Sequence, residues 1–303
     1  MIVRLAITVA ILAYLATRID MGEAARATAS VSTQHLVLVL AMVAVDRLVM
    51  ILRWVLLLRA SGNPISTGDA ARLFLVSSFV GSFLPAGIGA DAARAYGLSR
   101  ENTSASEALA SVAVDRLLGI LSLVLMALIG LVAWAPEGQL NDRLAAAIVA
   151  AFMACMAVFF ANEWLRWFIP ADRQGGFVIG RILRLTDAVG RYRHHRHVLA
   201  HVLLWSIIVQ VLRITQAYVL GLGLGMTVPF TYFLLFMPLA LLLLLLPISI
   251  SGFGAPQAGI VWLLQPMGVP DIQSLALSTL IVLTGLAGNL PGLFLWMRKS
   301  SRI

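Results

Sequence analysis

Apolar runs of bilayer-crossing length, separated by short polar stretches, recur from one end of the chain to the other. Runs over residues 2–19, 34–60, 109–135, 144–161, 198–225 and 273–297 each approach or exceed the ~20 residues a helix needs to cross the hydrocarbon core. Two further apolar regions are interrupted. Residues 70–98 hold the run Phe74 to Leu84, then Pro85, Gly87 and Gly89, then an alanine-rich segment through Tyr96. Residues 230–265 hold Phe230 to Leu246, then Pro247, Gly252, Gly254 and Pro256, then a second short apolar segment. Proline removes a helix hydrogen bond and glycine loosens the backbone, so each region predicts two short helices meeting at a break. Broken backbone at membrane depth is tolerated only against protein or a wet cavity, which predicts a re-entrant hairpin at each place.

The two breaks are alike. Gly87-Ile-Gly-Ala-Asp-Ala-Ala93 and Gly252-Phe-Gly-Ala-Pro-Gln-Ala258 share the pattern G-x-G-A-x-x-A at a spacing of 165 residues. The same offset carries 34–60 onto 199–225 and 109–135 onto 274–300. The fold class this predicts is an all-α polytopic membrane protein of two inverted halves, each with three spanning helices plus a re-entrant helical hairpin. The halves are 1–140 and 141–303, within a single membrane domain over 1–303. The run 2–19 has no small-x-small cleavage site after it and predicts a retained first helix.

Charge sets the expected orientation. The formal net charge of +8 is concentrated: seven arginines against three acids lie between Ala161 and Val198, and Arg298, Lys299 and Arg302 close the chain. The positive-inside rule puts both segments in the cytoplasm, and counting spans back from them places the N-terminus there too. The basic segment 162–197 runs into Gly180–His201, where Ile182, Leu183, Leu185 and Val189 alternate with arginines; this suits an amphipathic helix on anionic headgroups, an ordinary linker being the alternative. Basic residues that flank membrane spans exclude nucleic acid as the partner. Seven tryptophans fall mostly near proposed span ends, the pattern of interfacial anchors.

Charges within spans are costly and are retained where they do something. Asp46, Arg47 and Arg53 lie in the second run, Asp115 and Arg116 near the start of the third, and Arg213 in the fifth. Asp115-Arg116 also fits a snorkelling interfacial position. A half-helix starting near Gly89 or Gly254 would point unpaired N–H groups and a positive dipole end at the break, which favours an anion. Asp91 and Arg94 sit in the first turns after Gly89, and arginine offers phosphate a fixed fork of donors. His194, His195, His197 and His201 lack a carboxylate or cysteine to complete a metal set, and Cys155 stands alone, so no metal or cofactor is expected. No P-loop, G-x-S-x-G or H-E-x-x-H string appears, so movement of a substrate would be passive or coupled to an ion gradient.

Four strings in order, Leu52-Arg-Trp54, Leu84-Pro-Ala-Gly-Ile-Gly-Ala-Asp-Ala-Ala-Arg-Ala-Tyr96, Val114-Asp-Arg-Leu-Leu-Gly119 and Leu246-Pro-Ile-Ser-Ile-Ser-Gly-Phe-Gly254, resemble the lysylphosphatidylglycerol synthase transmembrane-region family. That group is flippase-like and includes archaeal proteins linked to dolichol-phosphate glycan assembly. In its pattern L-P-x-x-x-G-G-D-x-x-R-A, Asp91 and Arg94 carry over while Ala90 replaces a glycine. Where its second hairpin has G-x-G-x-R-E, this chain has Pro256 and Gln257. In the synthases, aminoacyl transfer belongs to a separate soluble domain. The resemblance and the charges together imply translocation of an anionic or phosphate-linked lipid across the inner membrane, without catalysis. Arg47, Arg53, Arg94, Arg116 and Arg213 would draw the headgroup, and Asp46, Asp91 and Asp115 would hold them. Gly87, Gly89, Gly252, Gly254 and Gln257 would form the breaks. Expected partners are membrane phospholipid or a lipid-linked substrate, with self-association left open. The alternatives are an enzyme acting on a lipid-linked sugar, with Asp91 or Asp115 as base, and a non-transporting scaffold subunit.

Overall fold

The computed structural model describes residues 21–62, 65–84, 89–101, 103–134, 142–159, 190, 192, 196–245 and 254–300. These residues are helical, with no strand among them. The order is α1 (Met21–Ala29), α2 (Thr33–Ala60), α3 (Thr67–Gly81), α4 (Gly89–Ser99), α5 (Ala105–Trp134), α6 (Asp142–Phe159), α7 (Arg196–Gly223), α8 (Phe230–Leu245), α9 (Ala255–Leu264), α10 (Asp271–Ala287) and α11 (Leu290–Ser300). Thr33–Ala60, Ala105–Trp134, Arg196–Gly223 and the stretch Asp271–Arg298 are long and apolar enough to cross a membrane. At 1.5 Å per residue, 28 residues run about 42 Å, well beyond the ~30 Å hydrocarbon thickness. The expected run 144–161 corresponds to α6, whose apolar stretch Ala145–Ala157 is shorter. The run 2–19, Gly87, Gly252 and most of the basic segment 162–197 lie outside the described residues.

Local chemistry accounts for the ends of these helices. Ser66, in extended conformation, caps α3 by accepting from the Asp69 N–H at 3.1 Å, and its hydroxyl donates to the Asp69 carboxylate at 2.6 Å. After α2 the chain turns through Gly62 at φ 74°, a left-handed conformation that glycine adopts without strain. At α9, Gly254 takes φ 102°, Pro256 occupies the first turn, and the Gln257 side chain reaches back to accept from the Gly254 N–H at 2.7 Å.

Packing pairs the two halves. α5 lies along α8 as α11 lies along α3, α4 packs on α5 as α9 packs on α10, and α6 rests on α5 as α1 rests on α10. The partners α2 and α7 pack on each other. Exchanging the halves leaves this set of neighbours unchanged, and the elements recur at nearly one offset, α2 matching α7 and α3–α4 matching α8–α9. Close approaches are made at glycine. A Cβ on Gly130 of α5 would stand 2.4 Å from the backbone of Leu234 on α8, and one on Gly292 of α11 would stand 2.1 Å from the Leu75 carbonyl oxygen on α3. Gly130→Ala therefore separates two helices at backbone contact, where no side chain can yield. It is expected to lower stability by about 1–3 kcal/mol, read as a fall in the detergent melting temperature.

Buried side chains form one large cluster across α5, α7, α8, α9 and α10, with Tyr218, Phe230, Phe233 and Phe236 meeting edge to face. A second cluster of Trp54, Phe74, Leu98 and Ala108 joins the α3–α4 pair to α2 and α5. Val37, Leu38, Val45, Leu48 and Leu52 instead line the outside of α2, as Ile129 and Val132 do on α5. An apolar outer face is what acyl chains solvate.

The expected crossing stretch 273–297 is carried by two consecutive helices: α10 ends at Ala287 and α11 begins at Leu290. Pro291 lacks an N–H and its ring would clash with the carbonyl four residues back, so the helix breaks ahead of it. Trp54 is not an interfacial anchor; it is fully buried at 0% exposure, whereas Trp262 and Trp296 are more than half exposed.

Candidate functional site

Arg47, Arg53, Arg94, Arg116 and Arg213 all line one cavity of about 320 Å³ between α2, α3, α4, α5, α7, α8 and the α10–α11 break, together with Asp91 and Asp115. Asp46 lines a smaller adjoining cavity of about 200 Å³, which shares Arg47 and Arg213 with the first. Helical spacing explains the convergence. Asp46, Arg53 and the half-buried Arg47 lie within two turns of α2, Asp91 and Arg94 occupy one face of α4, and Asp115-Arg116 lie on α5 just after the buried Ala108, Ala110, Ser111, Val112 and Val114.

The charges form two networks. In the first, Arg53 Nε lies 2.8 Å from Asp115 Oδ1, and Arg94 Nη2 lies 3.2 Å from Asp115 Oδ2 and 3.0 Å from Asp91 Oδ1. Asp91 Oδ2 in turn takes Arg116 Nη2 at 2.8 Å. Side-chain exposure rises along this chain, from 3% at Asp115 and 6% at Arg94 to 23% at Asp91 and 36% at Arg116, so the Arg116 end faces the open side. Arg53 also donates to Ser206 Oγ at 3.0 Å, and the Arg94 guanidinium lies over the neighbouring Trp54 and Phe74 rings, 5.1 and 5.2 Å from their centroids.

The second network crosses between the halves. Asp46 Oδ1 accepts from Arg213 Nε at 2.9 Å and Asp46 Oδ2 from Arg47 Nη1 at 3.0 Å. Arg47 Nη2 donates to the Gly285 carbonyl at 3.2 Å. The α10–α11 break makes that carbonyl accessible: the Asn289 N–H turns to Leu286 O instead of continuing the α-helical ladder. A Cβ on Gly288 would meet Val43 Cγ1 at 2.4 Å, so the close approach of the break to α2 depends on glycine.

Among the described residues, five guanidiniums against three carboxylates leave the site with a surplus of two positive charges. Burying such groups costs several kcal/mol per ion unless they are paired and hydrogen-bonded, and here every carboxylate oxygen takes at least one guanidinium. The surplus and the guanidinium geometry suit a phosphate or another oxyanion.

The glycine breaks contribute unequally. Gly89 is buried at the start of α4, and a Cβ there would meet Leu84 Cβ at 2.2 Å; the next residues, Ala90 and Asp91, line the cavity. Gly254 and Gln257 are buried but do not line it, and Gln257 serves its own helix start. Among the described residues of α8 and α9, only Leu241 and Leu244 of α8 reach the cavity. Sequence reasoning missed Gln210, Ser77, Ser78, Ser82, Asn289 and Met50, all in the lining. Uncharged polar residues in an apolar helix are cheap enough to pass unnoticed; Gln210 in the middle of α7 was the one legible signal.

Among the described residues no cluster of three His, Cys, Asp or Glu could hold a metal ion. His201 Nδ1 lies 2.6 Å from its own helix at His197 O. Comparison with curated proteins gives no match. The family model described as Lysylphosphatidylglycerol synthase TM region matches residues 1–292. That span contains every charge of both networks, together with the apolar crossing helices. The chain is thus a multi-pass membrane protein that belongs to the lysylphosphatidylglycerol synthase transmembrane-region family, whose membrane domain is linked to lipid handling.

Proposed function

We propose that this chain is a lipid translocase, moving an anionic or phosphate-linked lipid between the leaflets of the inner membrane without catalysing a covalent change. One observation carries the reading: among the described residues, five arginines from α2, α4, α5 and α7 meet around one cavity with three carboxylates among them. In this proposal the surplus positive charge draws in the headgroup, and the aspartates keep the guanidiniums ordered between substrates. The acyl chains stay in the bilayer alongside the apolar outer faces.

The proposal extends to topology. The halves run in opposite senses, α3–α4 and α8–α9 are re-entrant hairpins entering from opposite sides, and both termini are cytoplasmic. The exchange-invariant set of helix neighbours and the basic flanks support this arrangement. Opposed halves give a route to alternating access, in which one half rocks against the other about the α2–α7 contact.

An enzyme using Asp91 or Asp115 as base is the second reading. It is disfavoured because both oxygens of each carboxylate already lie in ion-pair contact with guanidiniums. A scaffold subunit would need no such charge surplus at its centre. The test is a leaflet-resolved assay in proteoliposomes with a panel of anionic phospholipids, comparing wild type with Arg116→Ala at the half-exposed end. Wild type should equilibrate at least one lipid between leaflets, and Arg116→Ala should slow this about 5- to 20-fold, the loss of one charge-assisted contact weakened by its half-exposed position. A panel left unmoved by wild type removes the proposal, and chemical alteration of any lipid restores the enzyme reading.

A further inference from the structure

We infer that the cavity selects phospholipids whose headgroup carries neutral hydroxyl groups beyond the phosphate, and discriminates against amine-bearing headgroups. This rests on the proposal that a lipid headgroup enters the cavity.

Two buried amide oxygens carry the inference. Gln210, 2% exposed, and Asn289 both line the cavity, and neither Gln210 Oε1 nor Asn289 Oδ1 has a hydrogen-bond partner. Their orientation is set by their neighbours. Ser122 Oγ donates to the Gly119 carbonyl at 2.7 Å and must accept from the Gln210 amide nitrogen, which lies at 3.2 Å. Ser82 Oγ likewise donates to the Ser78 carbonyl at 3.0 Å and accepts from Asn289 Nδ2 at 2.9 Å. Each amide therefore spends its donor on a serine and leaves its acceptor unused. A buried acceptor without a partner is costly, so a ligand that donates to it gains the difference. On the donor side, Arg47 Nε is buried with no hydrogen-bond partner. The site thus offers a phosphate its donors and, beside them, two neutral acceptors.

Hydroxyl and ammonium groups could both donate to those acceptors, and charge separates them. All six carboxylate oxygens of Asp46, Asp91 and Asp115 are already engaged by guanidiniums, so none is left to neutralise an ammonium. The surplus of two positive charges would repel it in a low-dielectric interior. A polyol pays no such cost. The volume of about 320 Å³ lies at the low end of the roughly 300–1,000 Å³ common for ligand pockets, room for a phosphate with a short or single-ring polyol rather than an oligosaccharide.

The experiment is competition against a tail-labelled phosphatidylglycerol bound to the full chain in detergent. The competitors are phosphatidylglycerol, phosphatidic acid and phosphatidylethanolamine of equal acyl length, with sn-glycerol 3-phosphate as a soluble arm. Phosphatidylglycerol should compete at about fivefold lower concentration than either other lipid, the worth of one satisfied hydrogen bond. Gln210→Leu should bring it level with phosphatidic acid. Gln210→Glu, which supplies a free carboxylate at the same place, should raise phosphatidylethanolamine relative to phosphatidylglycerol. Failure of the label to bind, phosphatidylethanolamine competing as well as phosphatidylglycerol, or an unchanged ratio in both variants would overturn the assignment. Glycerol phosphate competing as well as the lipid would reassign the site to soluble phosphate esters. Selective binding without leaflet movement keeps this inference and removes transport, and movement of all lipids alike does the reverse.

Discussion

Asp115→Ala is expected to destabilise the protein more than any other single change at the site, by about 3–5 kcal/mol, the range for removing one partner of a buried ion pair. Asp115 is 2% exposed and stands between two guanidiniums that are themselves 3% and 5% exposed, at Arg53 and Arg94. Without it, Arg53 keeps only the Ser206 hydroxyl and Arg94 only Asp91 among their polar contacts at the site, and two like charges face one another inside the bundle. The measurement is the melting temperature and monodisperse yield in detergent. Asp115→Leu combined with Arg53→Leu removes the pair together and should recover much of the loss, since an apolar pair of similar volume can match a buried salt bridge. An Asp115→Ala protein that melts like wild type would mean that water already reaches these arginines, and the buried-network account would fall.

Arg94→Lys is expected to preserve the charge and lose the function. The guanidinium bridges Asp91 and Asp115 while lying over the Trp54 and Phe74 rings, and a lysine ammonium is a point charge without the planar fork that reaches both carboxylates. Losing one charge-assisted hydrogen bond, about 1.5–3 kcal/mol, corresponds to about a 10- to 100-fold slower leaflet exchange if the bond is needed throughout transport. Exchange rates in proteoliposomes check this, beside a melting curve to separate a slow protein from an unfolded one. A lysine variant exchanging lipid at the wild-type rate would show that only the charge of this residue matters.

The charged residues were the most readable part of the site. Asp46, Arg47, Arg53, Asp115, Arg116 and Arg213 interrupt apolar runs, and a charge there stands out against its surroundings. Their pairing was not readable. Asp46 meets Arg213 across 167 positions, and Arg53 meets Ser206 across 153, contacts that depend on α2 and α7 lying together. Trp54 shows the same limit: within two turns of the end of a span it reads as an interfacial anchor, yet the packing of α3 and α4 seals it inside with Arg94. The second glycine break read as the twin of the first. Its Gln257 caps a helix, and the polar lining comes from α3, α7 and Asn289 instead.

Length, hydrophobicity and the placement of glycine and proline are local properties, and they suffice for the four crossing stretches among the described residues and for the short helices that recur at nearly one offset. Each follows from what one segment must do with its own backbone hydrogen bonds in lipid. The depth of each charge, the partner of each carboxylate and the unused acceptors of Gln210 and Asn289 arise only when helices distant in the chain come to rest on one another. Those quantities depend on distance and on exclusion of water, which no segment possesses before it is packed.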